Sequence, residues 1–174
     1  MVTAIVLSPS LDAAAPAERA AEAVTRSLCA LVRASMEGLV RDAIIVGPAA
    51  DDLAAVADEA GCLHIEANTA REGFALALGR PRAHFVFVLA GGYAPQYGFV
   101  EEAADVLNQP SFSGALLRRS PDSLMTRIAP ALAQPVGAVA RQEALRRAAP
   151  RDLSDLIRRL KIRRALTSRA DKLV

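Results

Sequence analysis

The chain has 174 residues, 52% of them hydrophobic, with 21 Lys+Arg against 19 Asp+Glu for a formal charge of +2. A chain of this size buries roughly 70% of its extended surface on folding, which excludes a disordered protein and one that needs disulfides or a structural metal to hold together. Its longest apolar runs, such as Phe85 to Ala90, are far shorter than the roughly 20 residues of a membrane span, and the N-terminus lacks a basic leader, so a soluble cytoplasmic protein is expected.

In chain order, Thr3 to Ser8 is a short charge-free strand of the kind covered on both faces, turned by Pro9 and Ser10. Ala17 to Glu37 reads as an amphipathic helix with Ala20, Val24, Leu28, Leu31 and Val32 on one face and Gly38 as its stop. Asp42 to Gly47 is a strand, Pro48 to Ala60 a helix ended by Gly61, Leu63 to Glu66 a strand, and Arg71 to Leu78 a helix ended by Gly79. Phe85 to Leu89 is the clearest central strand, broken by Gly91 and Gly92. A helix from about Gly98 to Leu107 and a strand from Gly114 to Arg118 follow. Residues 136–140 fit a last strand, and Arg151 to about Ser168 a helix. Strands alternating with helices imply one open α/β sheet covered on both faces.

In such sheets ligands sit beyond the carboxyl ends of the strands, which singles out Ser8–Asp12, Gly47–Asp52, Glu66–Arg71 and Ala90–Tyr93. No P-loop occurs, and no G-x-G-x-x-G follows the first strand, which removes P-loop enzymes and ordinary dinucleotide binders. No G-x-S-x-G elbow occurs, and His64 and His84 precede or lie within strands, so both are expected to be structural. Cys29 and Cys62 form no C-x-x-C pair and are expected as buried free thiols.

The segments LSPSLD (with its strand), DAIIVGPAADDLAAVADEAG (42–61), ANTAREGFALALG (67–79), FVFVLAGGYAPQYGFVEE (85–102) and SGALLRRS (113–120) resemble, in order and content, family 2 glycosyltransferases of the GT-A fold. GAVARQEALRR (137–147) and DLSDLIRRL (152–160) are similar to that family's final strand-plus-helix and its base-bearing segment. The resemblance implies a single-domain GT-A-like fold over 1–150, a mixed, mostly parallel sheet, with a basic C-terminal helix and tail over 151–174. It also implies a nucleotide-sugar pocket formed by Pro9, Ser10, Asp12, Gly47, Asp51, Arg71, Gly91 and Gly92, with Asp152 or Asp155 in the place of the family's general base.

The departure from the family is chemical. Members end the central strand in Asp-x-Asp, whose carboxylates hold a divalent cation on the donor's diphosphate. Ala90, Gly91 and Gly92 stand there in this chain, so neither a metal nor any other cofactor is expected. The base-recognising Asp after the second strand is replaced by Gly47, with Asp51 and Asp52 following. The expected protein is therefore a degenerate glycosyltransferase-like one, weakly active or inactive in metal-dependent transfer. Two alternatives stay open. One is an active metal-independent transferase in which Arg71, with Arg118 or Arg119, neutralises the diphosphate. The other is a non-catalytic interaction module. Asp152 also suits a helix cap and Asp155 an exposed first-turn acid. The LAGG string resembles that of molybdenum-cofactor guanylyltransferases, but it follows the fourth strand rather than the first.

Residues 1–140 carry a net charge of −5 and residues 141–174 a net charge of +7, so the basicity belongs to the tail. A solvated helix packing its Leu/Ile stripe on the domain is the favoured account, and peripheral contact with anionic lipid the other. With no tryptophan and no nucleic-acid-binding module, nucleic acid is not an expected partner.

Overall fold

In the computed structural model, which describes residues 1–11, 17–49, 51–122, 128–129 and 133–173, eight strands form one sheet in the order β3-β2-β1-β4-β7-β6-β8-β5. The strands are β1 (Val2–Leu7), β2 (Val40–Gly47), β3 (Leu63–Glu66), β4 (Phe85–Ala90), β5 (Tyr93–Pro95), β6 (Gly114–Arg119), β7 (Pro135–Arg141) and β8 (Ala165–Lys172). β1 to β4 are mutually parallel, and β7 runs antiparallel to both β4 and β6. β8 is parallel to β6, so β6 and β8 share the direction of β1 and β4.

The helices are α1 (Ala17–Met36), α2 (Asp51–Ala60), α3 (Ala70–Ala77), α4 (Phe99–Leu107), α5 (Gln142–Ala148) and α6 (Leu153–Arg159). Because side chains alternate across a strand, the sheet feeds two cores. On one face Val24 and Leu31 of α1 and Phe99 of α4 pack with Phe87 and Leu117. On the other, Phe74 of α3, Leu145 of α5 and Leu156 of α6 pack with Ile5 and Val88. Burial of both faces explains why β1 is apolar throughout: all six of its residues are buried. α3 starts where Thr69 Oγ1 accepts the Glu72 N–H at 3.3 Å and Glu72 reaches back to the Asn68 N–H.

The open, two-faced α/β sheet expected from the sequence is present, with the mixed strand directions of the GT-A-like arrangement. The C-terminus differs. The helix expected from Arg151 to about Ser168 stops at Arg159, Lys161 takes a left-handed φ of 51°, and 165–172 form β8. Leu166 and Ala170 enter the core, and β6 gains a hydrogen-bonding partner: Leu116 N–H donates to Arg164 O and Ser120 N–H to Ala170 O. A sheet edge left without partners exposes a row of unpaired backbone groups, and this demand overrides the helical spacing of the tail. The tail thus supplies an interior strand of the sheet. Its Leu/Ile stripe is not free for lipid, since Leu156, Ile162 and Leu166 are buried. β5, absent from the sequence reading, is a three-residue strand that pairs with β8 at the sheet's edge.

Candidate functional site

β1 and β4 end side by side, with Leu7 opposite Ala90, and the chain leaves both strands at the same level. After β1, Pro9–Leu11 form a 3-10 turn in which Ser8 Oγ and Ser10 Oγ share a hydrogen bond of 2.8 Å. After β4, the Gly91 N–H donates to Leu7 O at 2.7 Å, drawing the two strand ends together. Gly92 turns the chain at φ 84°. The turn is held from α1: Ser27 Oγ accepts the N–H of Gly92 at 2.9 Å and of Tyr93 at 3.2 Å, and donates to Tyr93 O at 3.0 Å.

Ser27 is fully buried, and the sequence reading passed over it. A signal was present: it lies three residues after Val24 and four before Leu31, a polar residue on the apolar stripe of α1.

A cavity of about 260 Å³ opens at these ends, between Ser8, Pro9, Gly91, Tyr93, Gln134 of the segment before β7, and Asp152 before α6. It brings together Pro9, Gly91 and Asp152, three residues far apart in sequence. Ser10 adjoins through its bond to Ser8. Tyr93 closes the Ala90–Tyr93 turn singled out from the sequence, whereas Gln134 was not foreseen. A larger cavity, about 460 Å³, lies between α1, α2 and the first residues of β2, at the opposite end of the strands. Cys29 and Cys62 both line it, which corrects the expectation of buried thiols: both are free, Cys29 exposed and Cys62 half-buried, where burial pushes its thiol pKa up.

The two candidate bases take different roles. Asp152 is the N-cap of α6, its Oδ1 accepting the Asp155 N–H at 2.8 Å, and it lines the cavity. Asp155 is buried, not exposed as a first-turn acid would be. Its carboxylate accepts from Arg158 Nη2 at 2.5 Å, Arg159 Nε at 2.7 Å and the Arg151 N–H at 3.0 Å. The Arg158 guanidinium, joined by Arg151 and Arg159 and opposed by burial, holds the Asp155 carboxyl down at about 2. A carboxylate so held is a poor proton acceptor at neutral pH, so Asp155 secures the helix while Asp152 faces the cavity.

The remaining candidates lie elsewhere. Arg71 is exposed in the first turn of α3, the helix that follows β3, and does not line the cavity. Gly47 closes β2, where a Cβ would crowd Leu53 Cδ1 of α2 and stand 3.1 Å from Ser8 Cβ, so the glycine permits close packing of α2 and of the turn after β1. Asp12 lies outside the described residues, and Asp51 is described as the first residue of α2 by its backbone alone.

A hard divalent cation takes oxygen ligands, carboxylates above all, and the described residues offer few of them at this strand end. The end of β4 carries no side-chain oxygen, and among the described residues no group of three or more His, Cys, Asp or Glu is placed to hold an ion. Among the described residues no helix is long and apolar enough to cross a membrane.

No protein-family model and no curated protein matches the sequence. Solved structures do match. Glucosyl-3-phosphoglycerate synthase from Mycobacterium tuberculosis, in complex with Mn²⁺, uridine-diphosphate and phosphoglyceric acid, aligns at TM-score 0.51 and 17% identity over 83% of this chain. The match covers 57% of that protein, so the chain spans little more than half its length. The 4-diphosphocytidyl-2C-methyl-D-erythritol synthase from Anaerococcus prevotii aligns at TM-score 0.65 and 9% identity, over 95% of this chain and 86% of that one. TarS of S. aureus aligns at TM-score 0.58 and 13% identity, over 100% and 58%. Identities this low speak for the fold alone: a GT-A-like, nucleotide-diphospho-sugar transferase fold in which the cavity lies at the strand ends.

Proposed function

We propose that the chain is a glycosyltransferase-like protein that binds a nucleotide sugar at the ends of β1 and β4 without a divalent cation, and that metal-dependent turnover is weak or absent. The supporting observation is the end of β4: where the family's two carboxylates would stand, Ala90 and Gly92 offer no side-chain oxygen, and a Cβ at Gly91 between them would stand 2.8 Å from Leu7 O and 3.0 Å from Pro9 Cδ. A cavity of about 260 Å³ is smaller than the roughly 300 Å³ at which ligand pockets begin, and suits the sugar-phosphate portion of such a ligand.

Without a cation, the diphosphate charge falls to guanidinium groups, which bind phosphate oxygens in a bidentate fork. In this reading Asp152 accepts an acceptor hydroxyl's proton; in support, it lines the cavity and caps the helix with one oxygen, which leaves the second for another partner.

The test is calorimetric titration with UDP-, GDP- and dTDP-sugars, with and without Mn²⁺ or Mg²⁺. At least one should bind with an affinity unchanged by the metal. Binding strengthened roughly tenfold or more by metal would overturn the proposal. Silence across the panel would leave a non-catalytic interaction module. Arg71→Ala, at an exposed position outside the cavity lining, should leave binding unchanged, and loss of binding would assign the diphosphate to Arg71.

A further inference from the structure

Arg118, near the end of β6, and Arg169 of β8 are register partners in neighbouring parallel strands, so their side chains start on the same face of the sheet. Because β6 and β8 share the direction of β1 and β4, the pair stands at the same edge of the sheet as Ser8 and Gly91. Only β7 intervenes. Its Pro135 pairs with Arg118 and, like Gln134, lines the cavity. At about 4.8 Å per strand, the arginines lie about 10–14 Å across the sheet from the end of β4.

Both side chains are half-buried, and among the described residues neither has a carboxylate partner. Arg118 Nη1 donates to Ala133 O at 2.6 Å, while Arg169 Nη1 is buried with no hydrogen-bond partner among the described residues. The acids nearest in sequence are engaged. Asp122 pairs with Arg119, and Asp171 accepts from Ser120 Oγ and from Gln96 Nε2. Residues 123–132 contain no Asp or Glu. Two partly desolvated cations side by side repel, and a buried donor without an acceptor is costly, so an anion between them would relieve both effects.

We propose that Arg118 and Arg169 form a binding site for an oxyanion, a phosphate or a carboxylate, carried by the acceptor. The assignment to the acceptor rests on the nucleotide-sugar reading, which places the donor over β1 and β4 and leaves the ground beyond β7 to the second substrate. Planar guanidinium groups match both oxyanions.

The experiment follows the arginine side-chain Nε–Hε resonances of the ¹⁵N-labelled full chain during titration with inorganic phosphate and, separately, acetate at constant ionic strength. Saturable shifts are expected at Arg118 and Arg169 but not at the exposed Arg80. Arg169→Gln and Arg118→Gln should each weaken phosphate binding roughly tenfold or more. Phosphate binding tighter than acetate identifies a phosphoryl group on the acceptor, and the reverse a carboxylate. Shifts that fail to saturate, that are equal at Arg80, or that persist in both variants overturn the site. Should Arg169→Gln fail to fold, the wild-type titration and Arg118→Gln decide. Nucleotide-sugar binding is read in parallel from the Gly91 and Gly92 amides, so failure of the donor site and failure of the anion site are seen separately.

Discussion

Replacing Gly91 by alanine tests the packing on which the closed strand end depends. Gly91 is not among the glycines in the left-handed region, so alanine meets no backbone penalty there, and its cost comes from contact alone. The new Cβ would lie 2.8 Å from Leu7 O, 3.0 Å from Pro9 Cδ and 3.4 Å from Val24 Cγ2. The first neighbour is backbone of a fully paired central strand and cannot swing aside. Overpacking of this kind costs about 1–3 kcal/mol. At about 2–4 °C per kcal/mol for a chain of this length, thermal unfolding should fall by about 2–12 °C. Hydrogen exchange at residue 91 should quicken as its 2.7 Å bond to Leu7 O lengthens. Pro9→Ala in the same chain should restore only part of the loss, because it removes the Cδ contact and leaves the carbonyl. Gly92→Ala is the contrasting control: its Cβ would meet only Ala23 Cβ at 3.5 Å, yet φ is 84°, so about 1–2 kcal/mol of backbone strain is expected without crowding. A Gly91→Ala protein melting within about 1 °C of the wild type would refute the reasoning.

Other expectations follow from the same geometry. Ser27→Ala removes the acceptor of the Tyr93 N–H and one of two acceptors of the Gly92 N–H, which also donates to Ala23 O at 3.1 Å, and should cost about 1–3 kcal/mol in urea unfolding; an unchanged midpoint would deny Ser27 its hold on the turn. The Asp155 carboxyl is depressed from 3.8 to about 2 in the folded chain, so the stability it confers is full above pH 3.8 and is lost as pH falls towards 2. Asp155→Asn should flatten that acid limb of the stability curve, and identical limbs would contradict the assignment. Glu102 accepts from Thr167 N at 2.6 Å, Ser168 N at 2.8 Å and Ser168 Oγ at 2.7 Å. Partial burial opposes ionisation there, but the bonds from Ser168 and Thr167 outweigh it and hold the Glu102 carboxyl below its usual range. Glu102→Ala should therefore speed amide exchange at Thr167 and Ser168 ahead of the rest of β8, whereas uniform exchange along the strand would count against a local clamp.

Local pattern was enough for the first half of the chain. The charge-free run at Thr3–Ser8, the spacing of Val24, Leu28 and Leu31, and the run at Phe85–Leu89 each specify one element, because a side chain's burial there depends on neighbours within a turn or a pleat. The strand-end rule pointed to four turns, those after β1 and β4 among them, and the family resemblance pointed to Asp152; the cavity at the ends of β1 and β4 is lined by residues of both turns and by Asp152. Tertiary structure alone decided the rest. Whether 165–172 continues a helix or becomes β8 depends on the free edge of β6, some fifty residues earlier, which no local spacing records. Asp152 and Asp155 are equivalent candidates in sequence. One faces the cavity and the other is locked by Arg158 and Arg159, because Asp152 stands before the helix as its extended N-cap while Asp155 lies in the first turn, three and four residues ahead of those arginines. The meeting of Arg118 with Arg169, and of Ser27 with the Gly92 turn, is likewise set by how strands order themselves across a sheet, a long-range choice made by the total burial of both faces rather than by any one segment.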